Sequence, residues 1–122
     1  MLTFKKEERL CSKKSIDFLF ANGKSFYLNP FKIKWIYQDC STNYPAQILI
    51  VVPKRYFKKA FERNKIKRQI REAYRLNKSV FYESLKIKDK QIVFAIIYNG
   101  KENFSYNLIV EKIILILQRL KQ

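Results

Sequence analysis

Histidine is entirely absent from this chain of 122 residues. Its absence excludes every catalytic triad that contains histidine, every zinc site with a histidine ligand, and the side chain that most often acts as a general base. The two cysteines, Cys11 and Cys40, are too few for a four-cysteine zinc site or a disulfide framework, and we expect both to be reduced, partly buried thiols. Glycine occurs twice and proline three times, so the sequence contains no linker or low-complexity tract.

Long apolar runs are missing as well. The longest, Ile92–Tyr98, is far shorter than the roughly 18 residues that a membrane span requires, and the first ten residues lack the apolar segment of a signal peptide. We therefore expect a cytoplasmic protein with no membrane partner. The length predicts a single domain over residues 1–122, and a hydrophobic content of 48% is sufficient for a packed core.

Negative charge is scarce. Ten Asp and Glu residues stand against 26 Lys and Arg residues, which gives a formal net charge of +16. So large a charge on one small domain repels itself, and it therefore predicts a polyanionic partner. Apart from the adjacent Glu7 and Glu8 the acids are scattered along the chain, so we expect no metal site built by the protein.

Hydrophobic periodicity predicts helices and strands that alternate along the chain. In order, the predicted elements are a helix over 12–21, strands over 31–37 and 48–52, a helix over 60–78, a strand over 91–98 and a helix over 106–121. This order favours an α+β fold in which the helices pack on a mostly antiparallel sheet. The last helix is predicted from apolar residues that recur every three or four positions, although its isoleucines by composition favour a strand.

The segment 54–78 carries the densest positive charge, with 11 of the 26 basic residues and two acids. Wound as a helix, it places one apolar stripe on one side, formed by Ile66, Ile70, Ala73 and Tyr74. The opposite arc carries Asn64, Lys67, Arg68, Arg71, Arg75 and Lys78, with Arg63 at the boundary. Solvated helix faces usually mix charges, because like charges at this spacing destabilise a helix. The unmixed arc therefore predicts phosphate binding, for which the planar guanidinium is well suited.

The sequence FKKAFERNKIKRQIR over residues 57–71 closely resembles the signature of the bacterial ribonuclease P protein component. The resemblance extends along nearly the whole chain, through Arg9-Leu10, Phe18, Phe20, Gly23 and Lys54-Arg55. It implies an α+β fold that is a two-layer α/β sandwich of order αβββαβα. The family's four-stranded, mostly antiparallel sheet contains a left-handed crossover, whereas general rules on chain topology predict the opposite hand.

The resemblance also implies a function. The family's protein is a small basic subunit that binds the catalytic ribonuclease P RNA and precursor tRNA, and it assists the endonucleolytic removal of the 5′ leader. The RNA holds the magnesium ions, so the protein alone is expected to be inactive, with no catalytic residue and no obligate protein partner. The positions carried over as RNA-binding are Lys54, Arg55, Arg63, Asn64, Lys65, Lys67, Arg68 and Arg71, and the charged arc of the helix adds Arg75. Those that match the family's leader-binding cleft, between the first helix and the sheet, are Ile16, Phe18 and Phe20, and the alternation of the strand over 31–37 adds Lys32 and Lys34.

Alternatives stay open at this point. A structural RNA-binding protein of the ribosomal type would have the same composition, and the motif around Arg63 and Asn64 is what favours ribonuclease P. A protein-only nuclease is disfavoured, since it would need convergent acids or a histidine. Individually, Phe18 and Phe20 are as well explained by core packing. Lys32 and Lys34 are as well explained by protection of an exposed edge strand.

Overall fold

The computed structural model describes residues 4–39 and 42–121, so Cys40 lies outside the described residues. Cys11 is an exposed free thiol, so its expected partial burial is wrong. A short 3-10 helix at Lys6–Glu8 precedes the regular elements. These are α1 (Lys13–Asn22), β1 (Lys24–Leu28), β2 (Phe31–Tyr37), β3 (Ala46–Val51), α2 (Ala60–Asn77), α3 (Ser79–Lys88), β4 (Ile92–Tyr98) and α4 (Tyr106–Leu120). The expected order αβββαβα is confirmed, with α3 as a further helix after α2.

The four strands form one sheet in the order β1-β2-β4-β3. β2 pairs antiparallel with both β1 and β4, whereas β3 pairs parallel with β4. The mostly antiparallel sheet is thus confirmed, and its parallel pair is joined through the crossover that contains α2 and α3. Because β2 lies between two strands, the interpretation of Lys32 and Lys34 as guards of an exposed edge is wrong.

The main core lies between one face of the sheet and the helices α2, α3 and α4. From the sheet it receives Ile33, Phe94 and Ile96, all fully buried. The predicted stripe of α2 is confirmed in full, since its buried residues are Ile66, Ile70, Ala73 and Tyr74. The predicted last helix is also confirmed, with the buried residues Ile109, Ile113, Ile116, Leu117 and Leu120. The sheet and these three helices therefore form the expected two-layer sandwich.

Helix α1 packs on the opposite face of the sheet. Leu19 is fully buried there, in a small cluster with Leu10, Val93 and Ala95. The helix ends at Gly23, where a Cβ would lie 2.5 Å from the Leu19 carbonyl oxygen and 3.1 Å from the Trp35 carbonyl oxygen. Glycine is required at this position because the end of α1 approaches the backbone of β2 so closely.

The chain preceding α1 is attached to the helical layer by a buried ion pair between Glu8 and Lys78. Helical geometry alone predicts Lys78 on the outward basic arc, and that prediction is wrong. Helix α2 ends at Asn77, and Lys78 is buried with 6% of its surface exposed. The physical reason is the carboxylate of Glu8, 70 positions earlier, which supplies a buried counter-charge at this point.

Candidate nucleic-acid interface

The outward face of α2 presents the predicted cluster of basic and amide side chains. Asn64, Lys65 and Arg68 are exposed, and Lys67 and Arg71 are half-buried at the margin of the helix. They lie opposite the stripe that packs into the core, as the periodicity predicts. Packing of that stripe fixes the helix in orientation, so the basic face is held toward solvent. This arrangement suits contact with the phosphates of a nucleic acid backbone.

Arg63 has a different environment from the other basic residues of α2. Its Nη1 donates hydrogen bonds to the carbonyl oxygens of Phe57 at 2.7 Å and Lys58 at 2.9 Å. These bonds connect the first turn of the helix to the loop before it. They satisfy two backbone acceptors of that loop and thereby hold it against the helix.

The N-terminal segment adds a charge to this face that spacing along the helix does not reveal. Arg9 pairs with Ile48 in a parallel bridge at the edge of β3, which brings it beside Arg71. Burial, together with the charges of Arg9 and Arg68, lowers the pKa of the Arg71 guanidinium. A cavity of about 200 Å³ lies here, lined among others by Arg9, Lys67 and Arg71. Mutually repelling guanidinium groups around an open cavity are an arrangement that an anion stabilises.

Arg75, near the end of α2, is already paired within the helix. Its guanidinium contacts the carboxylate of Glu72 at 2.5 Å and 3.1 Å. This bond lowers the pKa of the Glu72 carboxyl below its usual value. The positive charge of the face is therefore partly neutralised at this end, and it is strongest between Asn64 and Arg71.

The predicted residues of the preceding loop, Lys54 and Arg55, are both exposed in the turn that leads from β3 toward α2. The guanidinium carbon of Arg55 lies 4.7 Å from the centroid of the Tyr56 ring. This cation–π contact orients the arginine at the surface. The loop thus continues the basic surface beyond the N-terminal end of α2.

The residues predicted for the leader cleft are distributed around α1 and the sheet face beneath it. Phe18 is 48% exposed and Phe20 is 38% exposed, on either side of the buried Leu19. Two residues apart on a helix, their side chains diverge by about 160°, so they face the two opposite flanks of α1. Ile16 is half-buried and packs against the small cluster beneath the helix.

The two predicted lysines of β2 point to the same sheet face as α1. The Nζ of Lys34 donates a hydrogen bond to the Phe20 carbonyl oxygen at 3.2 Å, at the C-terminal end of that helix. The Nζ of Lys32 lies 5.7 Å from the ring centroid of Tyr27, which is 61% exposed on the neighbouring strand β1. Tyr27 therefore joins the lysines in an open aromatic and basic surface next to α1.

A groove of about 590 Å³ on the other side of this region contains residues that sequence reasoning missed. It is lined among others by Lys6, Arg9, Ser15, Gln47 and Val93. Periodicity could not assign Gln47 and Val93 to a groove, because whether a strand residue borders an open space depends on what covers its sheet face. The one indication of this groove in the sequence was the Arg9-Leu10 pair, which the family resemblance includes and of which Arg9 lines the groove.

Neither a cluster of metal-ligating side chains nor a helix that could span a membrane is present among the described residues. Within residues 4–39 and 42–121, no group of three or more cysteine, aspartate or glutamate side chains is arranged to hold a metal ion. None of the helices described is long and apolar enough to cross a bilayer.

Comparison with known proteins gives consistent sequence matches. A family model described as Ribonuclease P matches residues 4–121. The ribonuclease P protein component of Porphyromonas gingivalis is 36% identical over 95 residues, which are 76% of this chain and 66% of that protein. That of Petrotoga mobilis is 40% identical over 79 residues, which are 65% of this chain and 64% of that protein. The matched regions thus span just under two thirds of these relatives' own lengths.

Solved structures give matches over almost the whole fold. The ribonuclease P protein from Thermotoga maritima aligns with a TM-score of 0.73 and 28% identity, over 92% of this chain and 96% of that one. The Staphylococcus aureus protein aligns with a TM-score of 0.75 over 95% and 97% of the two chains, and at 20% identity this likeness concerns the fold alone. Since the family model also covers nearly every residue, the chain belongs to the ribonuclease P protein family.

Proposed function

We propose that this chain is the protein subunit of a ribonuclease P ribonucleoprotein. In this role it binds the catalytic RNA through α2 and binds the 5′ leader of precursor tRNA beside α1. The magnesium ions that act in cleavage are held by the RNA, and the protein alone does not cleave. Family membership supports the role in ribonuclease P. We propose no obligate protein partner for this role.

The observation that carries the proposal is the dense positive charge on the outward face of α2. Lys67 and Arg71 follow each other at spacing four, with Arg68 beside them, and the neighbouring acid Glu72 is bound to Arg75. Such a face lowers the stability of the isolated helix by a few tenths of a kcal/mol per pair. Phosphates remove this repulsion, and the release of condensed counterions from the RNA favours binding further.

The leader is proposed to bind beside α1 because the residues there suit single-stranded nucleic acid. Exposed aromatic rings stack on bases without reading their sequence, and neighbouring lysines contact the phosphates. Phe20 on α1 offers an exposed ring, and Tyr27 with Lys32 offers a second ring and a lysine on the sheet face against which α1 packs.

The test is the cleavage of precursor tRNA by the catalytic RNA from the same genome, at low magnesium, with and without the protein. We expect the protein to restore 5′ maturation at magnesium concentrations at which the RNA alone is slow, and to show no cleavage by itself. Protein without RNA is the control for contaminating nucleases. Binding to the RNA that leaves cleavage unchanged would contradict the proposal and support the structural RNA-binding alternative.

A further inference from the structure

Phe61 is an apolar side chain placed where the molecule is otherwise most strongly charged. It is the second residue of α2 and is 68% exposed, more than any other phenylalanine of the described residues. The family resemblance assigns roles to basic and amide residues around it, among them Arg63, Asn64 and Lys65, but none to this position. A phenylalanine here therefore needs an explanation of its own.

The position of Phe61 on the helix places it within the basic face. Asn64 and Lys65 follow at three and four residues, the spacings at which helical side chains are neighbours. Arg68 follows at seven residues, on the same side and about 10 Å further along the axis. All three are exposed. The ring thus lies at the N-terminal end of the row of side chains proposed to contact phosphates.

Lys59, immediately before the helix, holds the ring in place from one side. Its Nζ lies 5.7 Å from the centroid of the Phe61 ring, within the range of a cation–π contact. Both residues remain exposed, so this contact orients the ring without burying it. An oriented ring loses less conformational entropy when a ligand packs against it than a freely rotating one does.

The surroundings of the ring decide which ligand fits. An apolar protein surface that covered Phe61 would also have to remove Lys59, Lys65 and Arg68 from water without compensating their charges, which is costly. A nucleotide offers the flat face of a base for the ring and a phosphate for the cations. Stacking of bases on aromatic side chains beside a basic groove is the usual mode of binding to unpaired RNA.

We propose that Phe61 is a stacking platform for an unpaired base of the RNA bound by α2, adjoining the phosphate contacts of Asn64, Lys65 and Arg68. The inference rests on the proposed function, because it assumes that this face binds the catalytic RNA. It adds to that function a contact that recognises unstacked RNA rather than charge alone.

The test measures the affinity of the full chain for the in vitro transcribed catalytic RNA over a series of salt concentrations. Phe61→Ala should weaken binding by about fivefold to 150-fold, the range expected for the loss of one stacked base. The slope of log K against log salt should stay unchanged, because no phosphate contact is lost. Lys65→Ala, by contrast, should reduce the magnitude of that negative slope by about 0.7 to 0.9, because one phosphate contact is lost.

Further variants separate stacking from other effects of the ring. Phe61→Trp should bind as the wild type does, whereas Phe61→Leu should bind as weakly as the alanine variant. Val80→Ala is the matched control, since Val80 is 61% exposed on α3, and it should leave the affinity unchanged. Thermal melting should be unaffected by Phe61→Ala, because the ring is exposed and alanine favours the helix.

Three results would overturn the inference. Unchanged affinity of Phe61→Ala would show that no base stacks there. Full rescue by leucine would indicate an apolar contact, as with a protein partner. A lowered salt slope for Phe61→Ala would mean that the ring acts by orienting Lys59. If the wild type itself bound the RNA without salt dependence, the proposed function would fail instead, which keeps the two conclusions distinguishable.

Discussion

The buried carboxylate of Glu8 offers the sharpest test of how this fold is held together. Glu8 has no exposed surface, and its Oε1 accepts hydrogen bonds from the Lys78 ammonium and, at 2.5 Å, from the Tyr82 hydroxyl. Its Oε2 accepts from the backbone N–H of Lys5 at 2.6 Å. A single carboxylate thus connects the N-terminal segment to the junction of α2 and α3.

We expect Glu8→Gln to be severely destabilising, because it keeps the volume of the side chain but removes the carboxylate charge that pairs with the buried Lys78 ammonium. Removing one partner of a buried ion pair costs about 3–5 kcal/mol. For a domain of this size, each kcal/mol corresponds to about 3–6 °C in Tm. The variant should therefore unfold at least about 10 °C below the wild type. Glu83→Gln, an exposed acid on α3, should change stability by less than about 0.5 kcal/mol.

A double-mutant cycle in urea separates the ion pair from general damage. Lys78→Met is also expected to destabilise, whereas the double variant Glu8→Gln/Lys78→Met carries neither charge of the buried pair. Its free energy of unfolding should exceed the value predicted from the sum of the two single losses by at least about 2 kcal/mol. The reasoning is refuted if the Glu8→Gln variant melts within about 2 °C of the wild type. Additivity of the two substitutions to within about 0.5 kcal/mol would refute it equally.

Three other outcomes are expected. Gly23→Ala places a Cβ 2.5 Å from a backbone carbonyl oxygen of α1, so thermal melts should show a loss of about 1–3 kcal/mol, and an unchanged Tm would contradict the tight approach of α1 to β2. Burial raises the pKa of Tyr82 above its usual 10.0, so the folded state keeps a proton that the unfolded chain releases at higher pH. The contribution of Tyr82 to the free energy of unfolding is therefore complete below about pH 10, and above that pH it falls by up to about 1.4 kcal/mol per pH unit. Urea unfolding at a series of pH values should show a smaller fall for Tyr82→Phe than for the wild type. The double variant Arg68→Ala/Arg71→Ala should reduce the magnitude of the salt slope of RNA binding by about 1.4 to 1.8, because two phosphate contacts are lost. It should keep a cooperative melting transition, because both side chains point away from the core. Loss of that transition would contradict the orientation of α2.

Helix α2 shows how much of a helix's orientation the local sequence pattern predicts. The spacing of Ile66, Ile70, Ala73 and Tyr74 predicts which side of the helix is buried, and the structure confirms all four. Charge on the opposite face follows from the same count, because one helical period relates every residue to the core. Lys78 departs from this pattern, since the helix ends before it and a distant acid holds it inside.

The surface beside α1 shows the opposite case. The alternation of β2 places Lys32 and Lys34 on one face, but it does not tell whether the strand is central or at an edge. Only the pairing of β2 with β1 on one side and β4 on the other excludes the edge interpretation. The exposure of Tyr27 and the groove lined by Gln47 and Val93 likewise depend on which part of the sheet α1 covers.

The sequence by itself thus determined the α+β class, the helices α1, α2 and α4, the strands β2, β3 and β4, the buried stripe of α2 and the basic character of its outward face. Each of these depends on residues a few positions apart, whose relation the backbone geometry of a helix or strand fixes. Tertiary structure alone decided that Arg9 lies beside Arg71, that Glu8 neutralises Lys78, and that Gly23 is enclosed by backbone. These contacts join segments far apart in the chain, and local periodicity carries no information about which distant segments meet.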